Sequence, residues 1–141
     1  MTSDPRLDDL RERFASSAFH TWIGMRLHRV EPGRVDVALD LQPHHMNLVG
    51  IAHGGLLGVM ADTATGLALR TVLEPGHTHV TTQLSITFLA PGRTGTVVAR
   101  GRVVKAGRRF GYAEADVVGG DGTLLARAAA TFAVRPEPGA Q

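Results

Sequence analysis

The sequence predicts a single α+β domain in which an antiparallel β-sheet wraps around one long central helix. The chain has 141 residues, and 43% of them are hydrophobic. This length is enough for one hydrophobic core but too short for two domains. One helical segment, residues 54–73, consists of unusually small residues and suits close packing on nearly all sides. Six strand-like segments flank it without the strand–helix alternation of a parallel sheet and without an internal repeat.

The N-terminal segment, residues 1–20, is predicted to form an amphipathic helix from Pro5 to Phe19, whose apolar stripe is formed by Leu7, Leu10, Phe14 and Ala18. Two strands follow, Met25–Val30 and Arg34–Leu41, joined by a turn at Glu31-Pro32-Gly33. The second strand alternates apolar and polar residues, so we expect one of its faces to be buried.

The central helix is predicted to end at Glu74-Pro75-Gly76. The remaining four strands are separated by turns rich in glycine and proline, and they are His79–Leu89, Thr96–Lys105, Phe110–Val118 and Thr123–Val134. Residues 135–141 contain two prolines and are predicted to form a flexible tail. We therefore expect residues 1–141 to form one domain.

Composition excludes several classes of function. The chain has no cysteine, which excludes disulfides, thiolate metal sites and cysteine nucleophiles. Its first residues are charged, and no run of 18 apolar residues occurs, so we expect neither a secretory signal nor a membrane span. We therefore expect the protein to be cytoplasmic. A formal net charge of +2 and the lack of a helix-turn-helix pattern argue against nucleic-acid binding.

The segment Asn47-Leu48-Val49-Gly50-Ile51-Ala52-His53-Gly54-Gly55 leads directly into the central helix. Free backbone N–H groups and the positive dipole end at such a helix start can polarise a carbonyl group. The helix then carries one acid, Asp62, which has no basic residue three or four positions away. Burying an unpaired carboxylate is costly. The structural alternatives to a catalytic role for Asp62 are a hydrogen bond to Thr63 or Thr65, or a tertiary salt bridge to an arginine.

Each residue of this segment also has a purely structural interpretation. Gly54 and Gly55 suit a strand-to-helix turn, His53 suits a helix cap, and Asn47 is common in turns for its own hydrogen bonds. His44 and His45 together with His53 match no metal-ligand spacing, so no metal site is expected.

The pattern Asn47-x-x-Gly50-x-x-His53-Gly54-Gly55-x6-Asp62-Thr63, with the later strand at residues 80–91 and Gly107-Arg108, resembles the hotdog-fold acyl-CoA thioesterases. The resemblance is to the PaaI-like branch of phenylacetic acid degradation, and it covers roughly residues 22–134. It implies hydrolysis of an aryl- or medium-chain acyl-CoA to free acid and CoA, without a metal or an organic cofactor.

The resemblance also implies roles for individual residues. Asn47, His53, Gly54 and Gly55 would serve the thioester carbonyl, with His53 orienting the loop and the carbonyl rather than moving a proton. Asp62 would act as base or nucleophile. Thr81 would assist from the following strand, with Thr82 or Ser85 as alternatives.

Geometry predicts that one chain cannot form the whole site. Gly54 and Asp62 lie about 12 Å apart along a helix at 1.5 Å per residue, whereas reacting atoms must approach to about 3 Å. Two central helices lying antiparallel about a twofold axis would give a homodimer with two shared sites. The resemblance implies dimers or dimers of dimers, and of these two states we expect the dimer of dimers, a homotetramer.

Basic residues near two turns are candidates for binding the CoA phosphates, although each also suits a solvated surface: Arg93, Lys105, Arg108 and Arg109. Two other functions stay open, a hotdog dehydratase or hydratase acting on acyl thioesters and a non-catalytic acyl-CoA sensor. The acyl group itself is not determined, because Phe14, Phe19 and Trp22 either border its pocket or only pack.

Overall fold

The computed structural model describes residues 3–139 and confirms the predicted architecture of one antiparallel sheet around a central helix. Its elements, in chain order, are α1 (Pro5–Ala15), α2 (Ala18–Ile23), β1 (Met25–Glu31), β2 (Arg34–Asp40), α3 (Gly54–Arg70), β3 (His77–Phe88), β4 (Thr96–Ala106), β5 (Phe110–Val118) and β6 (Leu124–Pro136). A short 3-10 turn, Pro43–His45, lies in the long connection from β2 to α3.

The six strands form one sheet in the order β1-β2-β4-β5-β6-β3, with every neighbouring pair antiparallel. Helix α3 contacts all six strands. Strand β3, which follows α3 in the chain, pairs with β6 on one side and forms an edge of the sheet. Among residues 3–139, no helix is both long enough and apolar enough to cross a lipid bilayer.

Small residues allow α3 to lie directly on the sheet, as its composition predicted. Ala61, Ala64 and Ala68 are fully buried on α3. On β4, a Cβ atom at Gly101 would lie only 2.4 Å from the backbone oxygen of Ala64. The helix backbone and the strand backbone are therefore in direct contact, which larger side chains at these positions would prevent.

The predicted N-terminal helix within residues 1–20 is wrong in its extent, since two helices occupy this region. Ser16 ends α1, and Ser17 adopts an extended conformation and caps α2 by accepting a hydrogen bond from the His20 N–H. Serine favours helix ends because its side chain competes for backbone hydrogen bonds. The first part of the prediction holds, because Leu10 and Phe14 are buried.

The prediction of a flexible tail from residue 135 is also wrong at its start. Strand β6 continues to Pro136, which lies opposite His77 of β3. The Glu137 N–H then donates to the Gly76 carbonyl at 2.8 Å, and its carboxylate lies 3.5 Å from the Arg70 guanidinium. At Pro136 β6 pairs with β3 alone, because its pairing with β5 ends at Ala133, and proline is tolerated where one side of a strand is free. Residues 140 and 141 lie outside the described residues.

Candidate active site

Helix α3 begins with a hydrogen bond that engages one of the two amides expected to bind a carbonyl. His53 is the N-cap residue, and its Nδ1 accepts from the Gly55 N–H at 2.9 Å. The Gly54 N–H has no hydrogen-bond acceptor within residues 3–139. Of the two candidate amides, Gly54 is therefore the one free to meet a ligand in this conformation, and His53 has the position of a helix cap.

Asn47 closes the loop that precedes α3. Its side-chain oxygen accepts from the backbone N–H groups of Val49, at 3.0 Å, and Ile51, at 3.2 Å. Its own backbone N–H donates to the Ile51 carbonyl at 2.8 Å. The turn interpretation of Asn47 is therefore correct for the carboxamide oxygen, while its NH2 group makes no hydrogen bond in the described part of the chain.

A cavity of about 690 Å³ joins Asn47, Gly54 and Arg93. Most of its wall is apolar and includes Leu57 and the ring of Phe88. A Cβ atom at Gly54 would lie 3.2 Å from that ring, so a side chain there would have to displace it. The first turn of α3 thus presents a bare N–H group beside an apolar wall.

Asp62 lies half-buried two turns further along α3, and its partner is Thr81. The Thr81 hydroxyl donates to Asp62 Oδ1 at 2.7 Å. The hydroxyl of Thr82 instead bonds the Thr131 carbonyl, which separates these two candidates. Thr65 bonds backbone oxygens of α3 and not the carboxylate. No lysine, arginine or histidine forms a salt bridge with Asp62 within residues 3–139.

His79 lies beside this pair, although no sequence motif marked it as a site residue. Its ring contacts Phe132 edge-on at a centroid distance of 5.1 Å, and its Cε1 lies 3.3 Å from the Cβ position of Gly66, one turn after Asp62. Burial lowers the pKa of His79, the charge of Arg70 lowers it further, and Asp62 acts weakly in the opposite direction. Its buried Nδ1 has no hydrogen-bond partner in the part of the chain that the structure describes. The sequence feature that could have identified His79 is its spacing of two residues from Thr81, which places both side chains on one face of the strand.

The cations expected to bind CoA phosphates lie in two separate places. Arg93 borders the cavity at the start of α3. Lys105, Arg108 and Arg109 belong to the β4–β5 hairpin, where Arg108 borders a second cavity of about 650 Å³ next to Leu73, beyond the end of α3. The 17 residues of α3 span about 25 Å at 1.5 Å per residue, so one chain does not bring all four together.

The histidines before α3 have structural partners. His45 is buried, with Nδ1 accepting from the Gln42 N–H at 2.9 Å and Nε2 lying 2.8 Å from the Ile23 carbonyl. His44 packs its ring against that of His45. Across residues 3–139, no group of three or more His, Asp or Glu side chains could hold a metal ion.

The two halves of the predicted site are therefore separate within one chain. Asn47 and Gly54 meet at one cavity, and Asp62 meets Thr81 about 12 Å further along the helix at 1.5 Å per residue.

Comparison with known proteins gives the family. The family model of the thioesterase superfamily matches residues 49–126. A thioesterase family protein from Silicibacter pomeroyi shares the fold with a TM-score of 0.88 and 25% identity, over 93% of this chain and 98% of that one. A mutant form of the phenylacetic acid degradation protein PaaI from Thermus thermophilus has a TM-score of 0.76 and 30% identity, over 83% of this chain and 98% of that one.

Human acyl-coenzyme A thioesterase 13 is 29% identical over 98 residues, which are 68% of this chain and 69% of that protein. The sequence prediction of a hotdog-fold, PaaI-like enzyme is confirmed at the level of the family. Relatives named as acyl-coenzyme A thioesterases support a thioester hydrolase with the hotdog fold, and this chain belongs to the thioesterase superfamily.

Proposed function

We propose that the protein hydrolyses an aryl- or medium-chain acyl-CoA to the free acid and CoA, with Asp62 as base or nucleophile. The observation that carries this proposal is the half-buried Asp62 carboxylate, which the Thr81 hydroxyl holds at 2.7 Å and which no cation neutralises in the described chain. A carboxylate that is oriented but not paired with a cation retains its ability to take a proton from water.

The thioester carbonyl fits the start of α3. The Gly54 N–H is unpaired among the described residues and opens into the 690 Å³ cavity, where the NH2 group of Asn47 is also available. The positive end of the helix dipole adds to the attraction for an oxygen that becomes negative. Gly55 supports this site through its bond to His53 and is not itself a donor to the substrate.

A second copy of the chain would complete the site, and the free edge of β3 supports such a copy. This edge strand has 12 residues without any Asp, Glu, Lys or Arg, and it exposes Val80 and Phe88. The opposite edge, β1, carries charged side chains and a bulge. Long, uncharged edge strands pair readily with another strand, whereas charges and bulges prevent pairing. Antiparallel pairing of two β3 strands about a twofold axis would bring Asp62 of one chain near Gly54 of the other.

The same arrangement would gather the phosphate-binding candidates. Antiparallel helices place the β4–β5 hairpin of the partner, with Lys105, Arg108 and Arg109, at the end of α3 where Arg93 lies. Arginine forks suit the phosphates of CoA. Association of two dimers into a tetramer and a cytoplasmic location stay predictions.

The chemical step follows from these positions. As Asp62 takes a proton from water, the water oxygen bonds to the thioester carbon, and the carbonyl electron pair moves to the oxygen held by the Gly54 N–H. The tetrahedral intermediate then collapses, the carbon–sulfur bond breaks, and the leaving thiolate takes the proton from Asp62. Direct attack by Asp62 would instead form an anhydride that water opens, with the same products.

Two variants test the roles of the acid and the amide. Asp62→Asn should lower kcat by at least about 100-fold in assays of thiol release from phenylacetyl-, hydroxyphenylacetyl-, benzoyl- and straight-chain acyl-CoAs. Gly54→Pro removes the donor at a helix position that tolerates proline, and Gly54→Ala is its matched control because it keeps the N–H beside Phe88. Turnover by Asp62→Asn close to that of the wild type would refute the role of the acid.

Mixing these variants tests the shared site. Asp62→Asn and Gly54→Pro should each be nearly inactive, and a heterodimer of the two has one intact site out of two. Random assortment makes half of the dimers mixed, so about a quarter of the wild-type activity should return after subunit exchange. If sedimentation shows exchange and no activity returns, both halves of the site lie within one chain.

A further inference from the structure

Gly58 occupies the middle of α3, although its own chain gives no reason for a glycine there. Apart from its two chain neighbours and the backbone of its own helix, no atom of residues 3–139 lies within 4 Å of the position that its Cβ would take. At Gly66 the same test finds the His79 ring at 3.3 Å, and at Gly101 it finds a backbone oxygen at 2.4 Å. Glycine destabilises a helix interior relative to alanine. An alanine would therefore fit at residue 58 in the single chain, and packing within the described residues does not require the glycine.

The position of Gly58 on the helix indicates why a glycine lies there. Residues four apart share one face of a helix, so Gly54, Gly58, Asp62 and Gly66 lie in a row. Three of them contact side chains of β3, which are Phe88 at Gly54, Thr81 at Asp62 and His79 at Gly66. This face of α3 is thus turned toward β3, whose outer edge is free. A second copy pairing along β3 would approach from this side.

The shared site proposed above, on which this inference rests, fixes the register of the two helices. We take Gly54 of each chain to face Asp62 of the other, with the two helices antiparallel. Each step toward Asp62 along one helix then faces an equal step toward Gly54 along the other. The residue midway between 54 and 62 then faces itself. That residue is Gly58, which lies on the twofold axis.

We propose that Gly58 is a positioning residue at which the central helices of two chains cross. The distance between packed helices, about 8–10 Å, depends on the side chains at the crossing point. Two facing glycines permit the closest approach, and this approach sets the separation between Gly54 of one chain and Asp62 of the other. A larger side chain at residue 58 pushes the two halves of each site apart.

Cysteine cross-linking tests the crossing directly, because the chain contains no cysteine of its own. Two cysteines form a disulfide when their Cα atoms lie about 4.4–6.8 Å apart. Gly58→Cys should therefore give a covalent dimer on mild oxidation of the folded protein and not of the denatured protein. Val59→Cys is the matched control, since it is also half-buried but lies about 100° further around the helix. Equal cross-linking of the two variants would overturn the proposal.

Activity tests the consequence of the crossing. Gly58→Ala should unfold at the same or a higher temperature than the wild type and still lose about tenfold in kcat, and Gly58→Leu should lose about 100-fold, with little change in KM. Gly66→Ala, which meets His79 in its own chain, should instead lose thermal stability. A wild-type kcat in Gly58→Leu would refute the inference. A loss of kcat confined to substrates with bulky acyl groups would also refute it, since the space beside Gly58 would then hold the acyl group and not a second helix. Absence of hydrolysis by the wild type would refute the proposed function, while the cross-linking would still report on the crossing.

Discussion

His53 offers a test that separates support of the site from chemistry within it. The His53 Nδ1 accepts from the Gly55 N–H at 2.9 Å and caps the first turn of α3. His53→Ala removes this acceptor, so the Gly55 N–H can form a hydrogen bond only with water. The first turn then frays more easily, and the adjacent Gly54 N–H loses its fixed direction.

The size of the effect follows from the cap. Loss of an N-cap side chain costs about 1 kcal/mol of stability, which corresponds to a fall in Tm of roughly 4 °C for a domain of this size. If the same free energy is lost from binding of the transition state, kcat/KM falls about fivefold, since about 1.36 kcal/mol corresponds to tenfold. His53→Asn and His53→Ser keep an oxygen acceptor at this position and should recover most of both losses.

Thermal unfolding and thiol-release kinetics of the three variants decide between the two roles. Parallel recovery of Tm and kcat/KM in the asparagine and serine variants is expected for a cap. The reasoning would be refuted if these variants regained the wild-type Tm but stayed as slow as His53→Ala, because His53 would then act on the substrate itself.

Two further predictions concern Asp62 and His79. Thr81→Val removes the hydroxyl that contacts Asp62 and should lower kcat about tenfold, because the carboxylate loses the hydrogen bond that orients it. A hydrogen bond to a charged group contributes about 1.5–3 kcal/mol to stability and this one is partly exposed, so Tm should fall only slightly. Thr82→Val should not lower kcat in this way, and equal kinetics of the two variants would contradict the assignment. Burial, reinforced by the charge of Arg70, lowers the pKa of His79 in the folded state below the ordinary histidine value of 6.5. The unfolded state therefore binds more protons than the folded state as the pH falls through this range. The free energy of unfolding should consequently decrease when the pH is lowered from about 7 to about 5. Denaturant unfolding should show a shallower fall in His79→Gln, and identical slopes would rule out this contribution.

The fold could be predicted from the sequence because it follows from local patterns of apolar and small residues, and the same patterns predicted where the candidate site would lie. Alternation in β2 places Val35, Val37 and Leu39 in the core, and all three are fully buried. The small residues of α3 predicted a helix packed on many sides, and the contact of Gly101 with its backbone shows how close that packing is. The motif from Asn47 to Asp62 predicted a helix start followed by an acid on the same helix, and α3 begins at Gly54 and carries Asp62 two turns later.

Which groups meet could not be predicted from the sequence, because such contacts depend on the register of distant strands. Three hydroxyls on β3 were candidates to meet Asp62, and the bulge between Thr81 and Gln83 changes which side chains face the helix. Thr81 contacts Asp62 and Thr82 does not. Likewise, the engagement of Gly55 by His53 depends on a ring orientation that residue type alone does not specify. Sequence patterns fix the face on which a side chain lies, whereas its partner depends on where the chain returns in space.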